Sequence, residues 1–249
     1  PKPSSAASDV YKRQLMYPSA VMAVAIVVVA VILIVVVPTF KDVFASFGAE
    51  LPWLTRLVIS ASEGLVAWWW AALAALMGGG LAIRAAVRGS ESLQYGVDAA
   101  VLRLPVVGDL ISKALVARWT RTLATLFGAG IPLVDALGSV ARAAGNRVFS
   151  QATQQIQRDV STGQRMTLSM EGTGVFPPMV VQMASIGEES GSLDQMMGKT
   201  ADFFEAEVDE KVKGLSSLLE PVIIVILGGL IGGIVVAMYL PIFQLGSIA

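Results

Sequence analysis

The sequence predicts an all-α integral membrane protein in which three transmembrane helices carry an antiparallel bundle of about six further helices. Three observations lead there. Charged side chains are absent from Pro18 to Val37, Leu65 to Ile83 and Val222 to Leu240, and apolar stretches of about twenty residues match the roughly 30 Å hydrocarbon core at about 1.5 Å per helical residue. The composition is 55% hydrophobic and 15% charged, with a mean hydropathy of +0.69, well outside the averages of a soluble domain. No segment alternates apolar and polar residues at period two over a useful length, which leaves no strand pattern.

Residues 1–14 are polar and aperiodic and join the first apolar run abruptly at Leu15, so they read as an unrelated or disordered leader outside the fold. They are too polar for a signal-peptide core, and the run that follows is too long for one. The first transmembrane helix is expected over 15–38, a short external loop over 39–63, and the second helix over 64–87. Trp68, Trp69 and Trp70 suit an anchor near the outer interface, where indole rings settle.

The segment 88–219 has the punctuation of short helices. One helix is expected from Ser92 to Leu104, stopped by Pro105. A second, from Leu110 to Phe127, repeats apolar residues at helical spacing and ends at Gly128 and Gly130. Pro132 opens a third that reaches Ala144, with Gly145 as its cap; Val148 to Thr162 forms a fourth, closed by Gly163. A weak piece lies at Met166 to Met170, then Met179 to Ile186 after Pro177 and Pro178. Ser192 and Gln195 fit a capping box that opens a helix from Leu193 to about Leu219. The third transmembrane helix is expected over 220–241 and a tail over 242–249.

Orientation follows from the basic residues, which concentrate on the cytoplasmic flanks of spans. Only Lys41 and Arg56 separate the first two spans, whereas Arg84, Arg88 and Arg103 follow the second, Lys211 and Lys213 precede the third, and none comes after. The N-terminus and the bundle are therefore expected in the cytoplasm, and the C-terminus outside.

Chemistry is constrained by what is missing. With no cysteine and no histidine, the chain lacks thiol nucleophiles, disulfides and the commonest metal ligand and general base. No phosphate-cradle or serine-hydrolase motif occurs, and Gly128 and Gly130 do not form a dinucleotide loop. No catalytic, cofactor-binding or resident metal residue is assigned. The net charge of −1 gives no footprint for nucleic acid. The charge-free spans disfavour a pump or coupled transporter.

Three features stand out as candidates. Gly187, Glu188, Glu189, Ser190 and Gly191 form a tight acidic turn. Two readings are open: oxygen ligands for a divalent cation, or a helix-to-helix turn in which Gly187 or Gly191 supplies positive φ and the acids sit at the N-terminus of the next helix. Glu220 and Pro221 fall where the bundle meets the third span, and Pro221 cannot donate to the carbonyl of Ser217, so a bend or restart is expected there. Gly228, Gly229, Gly232 and Gly233 make two overlapping small-residue pairs that suit close packing against another helix.

Together these residues resemble the inner-membrane platform proteins of type IV pilus and type II secretion machines, the PilC and GspF family. The resemblance rests on Arg103–Leu110 (RLPVVGDL), Ala117–Leu123 (ARWTRTL), Gly130–Leu137 (GIPLVDAL), Phe176–Met183 (FPPMVVQM), Gly187–Gly191 (GEESG), Leu218–Pro221 (LLEP) and Tyr239–Phe243 (YLPIF). Phe47–Pro52 and Leu240–Gly246 look more like the pilus branch. Family members normally begin with a second, homologous cytoplasmic domain ahead of the first span; none is read before Leu15 here, so the sequence is expected to be a fragment with unrelated residues at its start or a truncated form. The stretch Ser169–Gly174 (SMEGTG) also departs from the usual alanine-rich helix.

The resemblance implies a non-enzymatic, at least dimeric scaffold in a bacterial inner membrane. It implies as partners a cytoplasmic hexameric ATPase, pilin or pseudopilin subunits and other inner-membrane assembly proteins, and it implies coupling or structural roles for Glu188, Glu189, Glu220 and Pro221. A passive membrane receptor or a permease subunit is the alternative reading of three spans and a cytosolic bundle.

Overall fold

The computed structural model describes residues 20–46 and 52–246. All regular structure among them is helical. α1 covers 20–46 and contains a π-helical turn at Ile32–Val36 before its last part, Val37–Ser46; α2 is Trp53–Gly89. Then come α3 (Glu91–Leu102), α4 (Val107–Gly128), α5 (Leu133–Ala143), α6 (Arg147–Ser161), α7 (Met166–Thr173), α8 (Pro178–Ser190) and α9 (Leu193–Gly246). The chain divides into two compact units, one formed by residues up to Ala82 with those from Lys213 onward, the other by Ile83–Val212.

The first unit is the apolar one. Mean hydropathy reaches 3.6 in Ala20–Thr39 and 2.7 in the helix Leu193–Leu240, and both are long enough to cross a bilayer. α2 supplies a third span if its two parts, Trp53–Ala71 and Leu73–Ala82, bent by 42°, count as one. Large apolar side chains such as Ile26, Val35, Trp68, Leu76 and Val225 stand exposed along these helices, as expected where lipid rather than water is the solvent. The unit has its own small core of Val37, Val58, Ile234, Ala237 and Met238.

Two expectations need correction here. The loop expected over 39–63 is mostly helix: α1 continues to Ser46, and α2 begins at Trp53, only residues 47–51 lying outside the described residues. Thr39 back-bonds to Val35 and Lys41 pairs with Glu63, so these polar residues are accommodated without leaving the helix. Of the bend or restart expected at Pro221, the restart does not form, because α9 is helical throughout from Leu193 to Gly246. Proline removes only one of its backbone bonds, and helical residues on both sides maintain the rest. Residues 1–19 and 247–249, and with them the expected leader and the last of the tail, lie outside the described residues.

The second unit is a helical bundle. α6 packs against α5, α7 and α3, α4 against α3 and α5, and α8 against α7. Its core is built from Val116, Trp119, Leu123, Leu137, Val140, Ile156, Met166, Met170, Val180 and Met197, among others. Trp119 is at the centre: its ring lies 4.7 Å from that of Phe176, which meets Phe149 edge-on at 5.6 Å. Its indole N–H, which would be costly to bury unpaired, donates to Thr153 Oγ1 at 2.8 Å, and that hydroxyl passes the bond on to the carbonyl of Phe149.

Local signals explain the boundaries. Ser90 accepts from Leu93 N at the start of α3, and Asn146 accepts from Val148 N and Phe149 N at the start of α6, satisfying first-turn donors. Gly145 and Gly163, expected as caps, have φ of +73° and +91°. The capping box expected at Ser192 is not formed: its hydroxyl sits 2.6 Å from that of Ser190. The departure at Ser169–Gly174 does not prevent α7, whose Ser169 hydroxyl donates to Asp159 of α6. Between α3 and α4, Val106 holds a φ of +68°, strained for a β-branched residue. A side chain at Gly108 would lie 2.4 Å from the carbonyl oxygen of Leu102, so this turn has no room for one.

Candidate functional site

The acidic turn is the C-terminal end of α8, and its residues do different things. Gly191 terminates the helix with φ of +70°, and Ser192 N donates back to the carbonyl of Gly187 at 3.0 Å, the closure that ends helices with a left-handed residue. Gly187 is glycine for a different reason. A Cβ there would stand 2.8 Å from Cα of Leu193, so its bare backbone allows the start of α9 to lie against α8.

Glu188 turns away from α9. Its Oε1 accepts from Met166 N at 2.7 Å and its Oε2 from Thr167 N at 3.1 Å, and the Thr167 hydroxyl donates to the same carboxylate. Arg165 lies 3.9 Å from it and 3.1 Å from Glu189. The side chain of Glu188 is only 16% exposed, so a carboxylate there needs these donors. Arg165, the residue preceding α7, makes no cap of its own. Glu188 therefore serves α7 as an N-cap borrowed from twenty-two residues along the chain, where the helix dipole also favours its charge. The acids were expected at the N-terminus of the next helix; Glu188 is instead at that of α7. Among the described residues no group of three or more acidic side chains is placed to hold a metal ion.

A second polar constellation joins α4 to the first part of α9. Asp109 pairs with Lys211, Lys113 with Glu207, and Arg121 with both Glu205 and Asp202. Partner numbers fall along α9 as they rise along α4, so the two helices run antiparallel. Arg121 grips Glu205 with two parallel bonds of 2.9 and 2.8 Å, the fork geometry that only arginine offers. Those bonds, with the one to Asp202, hold its pKa above the ordinary guanidinium value. Sequence reading missed this ladder. Its signal was there in Asp109, Lys113 and Arg121, spaced four and eight residues apart on one face of α4.

A polar cleft of about 530 Å³ opens beside Gln94, Asp98, Arg142, Arg147 and Ser150. Within it Arg147 ties α6 to α3, its backbone N–H donating to Asp98 at 2.6 Å and its Nε to Gln94 at 2.7 Å. Nothing in the local pattern of either helix signals this pairing.

The remaining candidates belong to the first unit. Pro221 is inside α9, and Glu220 is helical in its backbone while its side chain lies outside the described residues. A Cβ at Gly228, Gly229, Gly232 or Gly233 would meet no atom within 4 Å, so no described part of this chain covers that face.

A helical bundle braced by an acidic turn and a charge ladder, in a chain that also carries helices long and apolar enough to cross a bilayer, defines a helical membrane protein. Residues 119–241 match the family described as Type II secretion system (T2SS), protein F. The chain is 48% identical over 237 residues to the type IV pilus assembly protein PilC of Pseudomonas aeruginosa, covering 95% of this chain and 63% of that relative. It is 47% identical over 250 residues to the type IV pilus assembly protein TapC of Aeromonas hydrophila, covering 98% and 59%. The type II secretion system protein F of Pseudomonas aeruginosa is 36% identical over 234 residues, covering 94% and 58%. The chain belongs to the PilC/GspF family of type IV pilus and type II secretion proteins, and it spans about three fifths of the length of the curated relatives it matches.

Proposed function

We propose that this chain acts as an inner-membrane platform of a type IV pilus or type II secretion machine, coupling a cytoplasmic assembly ATPase to the extraction and polymerisation of pilin subunits. The observation that carries the proposal is the 48% identity, along 95% of the chain, to a relative named for type IV pilus assembly. In this reading the bundle lies in the cytoplasm, presents its helices to the motor and bears no catalytic group of its own. The C-terminus lies in the periplasm, and at least two copies assemble around the site where pilins leave the bilayer.

The physical basis is how force would pass. A motor acting on the bundle needs helices that do not slide, and the Arg121 fork and the Glu188 cap resist sliding. α9 belongs to both units as one continuous helix. A coupling role then falls to α9 itself rather than to a flexible joint at Glu220 and Pro221, and the uncovered Gly228, Gly229, Gly232 and Gly233 face is where a second copy or a pilin helix would seat.

Co-purification tests the proposal. Affinity capture of the tagged full-length protein from its own host, in mild detergent, is expected to bring down a secretion-type hexameric ATPase and pilins. Recovery of a transporter ATPase of the ABC type instead, or of neither expected partner, would contradict it.

A further inference from the structure

Two helices of the membrane unit have a proline where a backbone donor is needed. In an α-helix the carbonyl of Ala237 accepts from residue 241, which is a proline and has no N–H. The carbonyl of Leu33 would accept from Val37, but in the π-turn Val37 N donates to Ile32 instead, and the next residue in reach, Pro38, has no N–H either. Leu33 in α1 and Ala237 in α9 are therefore carbonyls without a donor from their own helix, as Ser217 is beside Pro221, and within a bilayer such orphaned backbone groups are poorly tolerated.

α2 meets both. Thr55 Oγ1 donates to the carbonyl of Ala237, and Ser62 Oγ donates to that of Leu33. The site is buried: Thr55 is 3% exposed, Ser62 1% and Ala237 0%. The two hydroxyls are seven residues apart, two turns along one face of α2, with Val58 and Ile59 of the apolar seam between them. Hydroxyls elsewhere in the chain behave differently. Thr39, Thr120, Thr122, Thr125, Thr153 and Thr200 all donate to the carbonyl four residues back in their own helix. Among the described residues, Thr55 and Ser62 have the only hydroxyls that donate to a backbone carbonyl of another helix.

We propose that Thr55 and Ser62 are the positioning residues of the membrane unit, each supplying the hydrogen bond that a proline removes from a neighbouring helix, so that α2 fixes the register of both α1 and α9. Apolar seams alone slide readily in lipid, because tails and side chains are equally apolar. A hydroxyl aimed at one vacant carbonyl selects one register. When the hydroxyl turns back to its own helix, as threonine and serine do in membrane helices, the outer end of α9 is released to bend at Pro241. The device thus combines a latch with a hinge.

The test is a double-mutant cycle on the full chain solubilised in dodecylmaltoside, reading the midpoint of unfolding on titration with SDS. T55V removes the donor at nearly constant volume; P241A restores the missing N–H to the helix. The latch predicts that T55V lowers the midpoint in the parent by at least about three times as much as in the P241A background, and that T55S keeps most of the parental value. An equal drop in both backgrounds, or no drop in the parent, would overturn the proposal. Should T55V fail to accumulate, P241A/T55V must still fold like P241A, and its failure to do so would equally overturn it.

Discussion

Glu188 engages both carboxylate oxygens on the backbone and hydroxyl donors that open α7. Removing it leaves two buried N–H groups without a partner, at a cost of about 1–3 kcal/mol. Glu188→Ala is therefore expected to lower the thermal midpoint of the bundle, followed by far-ultraviolet circular dichroism, while Glu188→Gln, which keeps one acceptor oxygen, lowers it less. Equal midpoints for Glu188→Ala and the parent would show that the cap does not stabilise α7. How much of this was legible beforehand depends on range. That Gly187 or Gly191 supplies a positive φ could be read from the turn itself, and it is Gly191 that does so, at +70°. The partner of Glu188 could not, because a contact between residues 166 and 188 leaves no periodic trace in either segment. Gly187 taught the same lesson: its need to be small comes from Leu193 across the turn, and not from its dihedral angles.

At the scale of elements, punctuation carried most of the information. Pro105, Gly130, Pro132, Gly145, Gly163 and Pro177 each stand where a helix begins or ends, and α3 to α8 fall within a few residues of the boundaries they suggest. The two failures have a common cause. Polar residues at 39–63 read as a loop, and Pro221 as a bend or restart; the loop is mostly helix and the restart does not form, because a long helix tolerates polar residues and a proline when its flanks are helical and its polar groups find local partners. A consequence follows for Pro221. If α9 is continuous, Pro221→Ala restores one bond to the carbonyl of Ser217, so stability in detergent is expected to be unchanged or higher and the count of surface pili in complemented cells unchanged. A loss of pili at normal protein level would mean that a break at Pro221 is needed after all.

At the scale of the whole molecule, family membership was legible because the matching strings run through both the bundle and the spans. Residues 119–241 match the family as a single stretch. What did not show in advance was how the membrane unit holds together: the hydroxyl donors of α2 are separated from their acceptors by 29 and 182 residues. The platform account requires the bundle to be inside the cell, where a motor can reach it, with the connection between α1 and α2 outside. The absence of cysteine makes this directly measurable, since single cysteines at Ser46 and Ser150 report without background from the protein itself. Intact cells treated with a membrane-impermeant maleimide should label Ser46→Cys and leave Ser150→Cys unlabelled until the cells are lysed. Labelling of Ser150→Cys in intact cells, with Ser46→Cys spared, would put the bundle on the outer side and contradict the account.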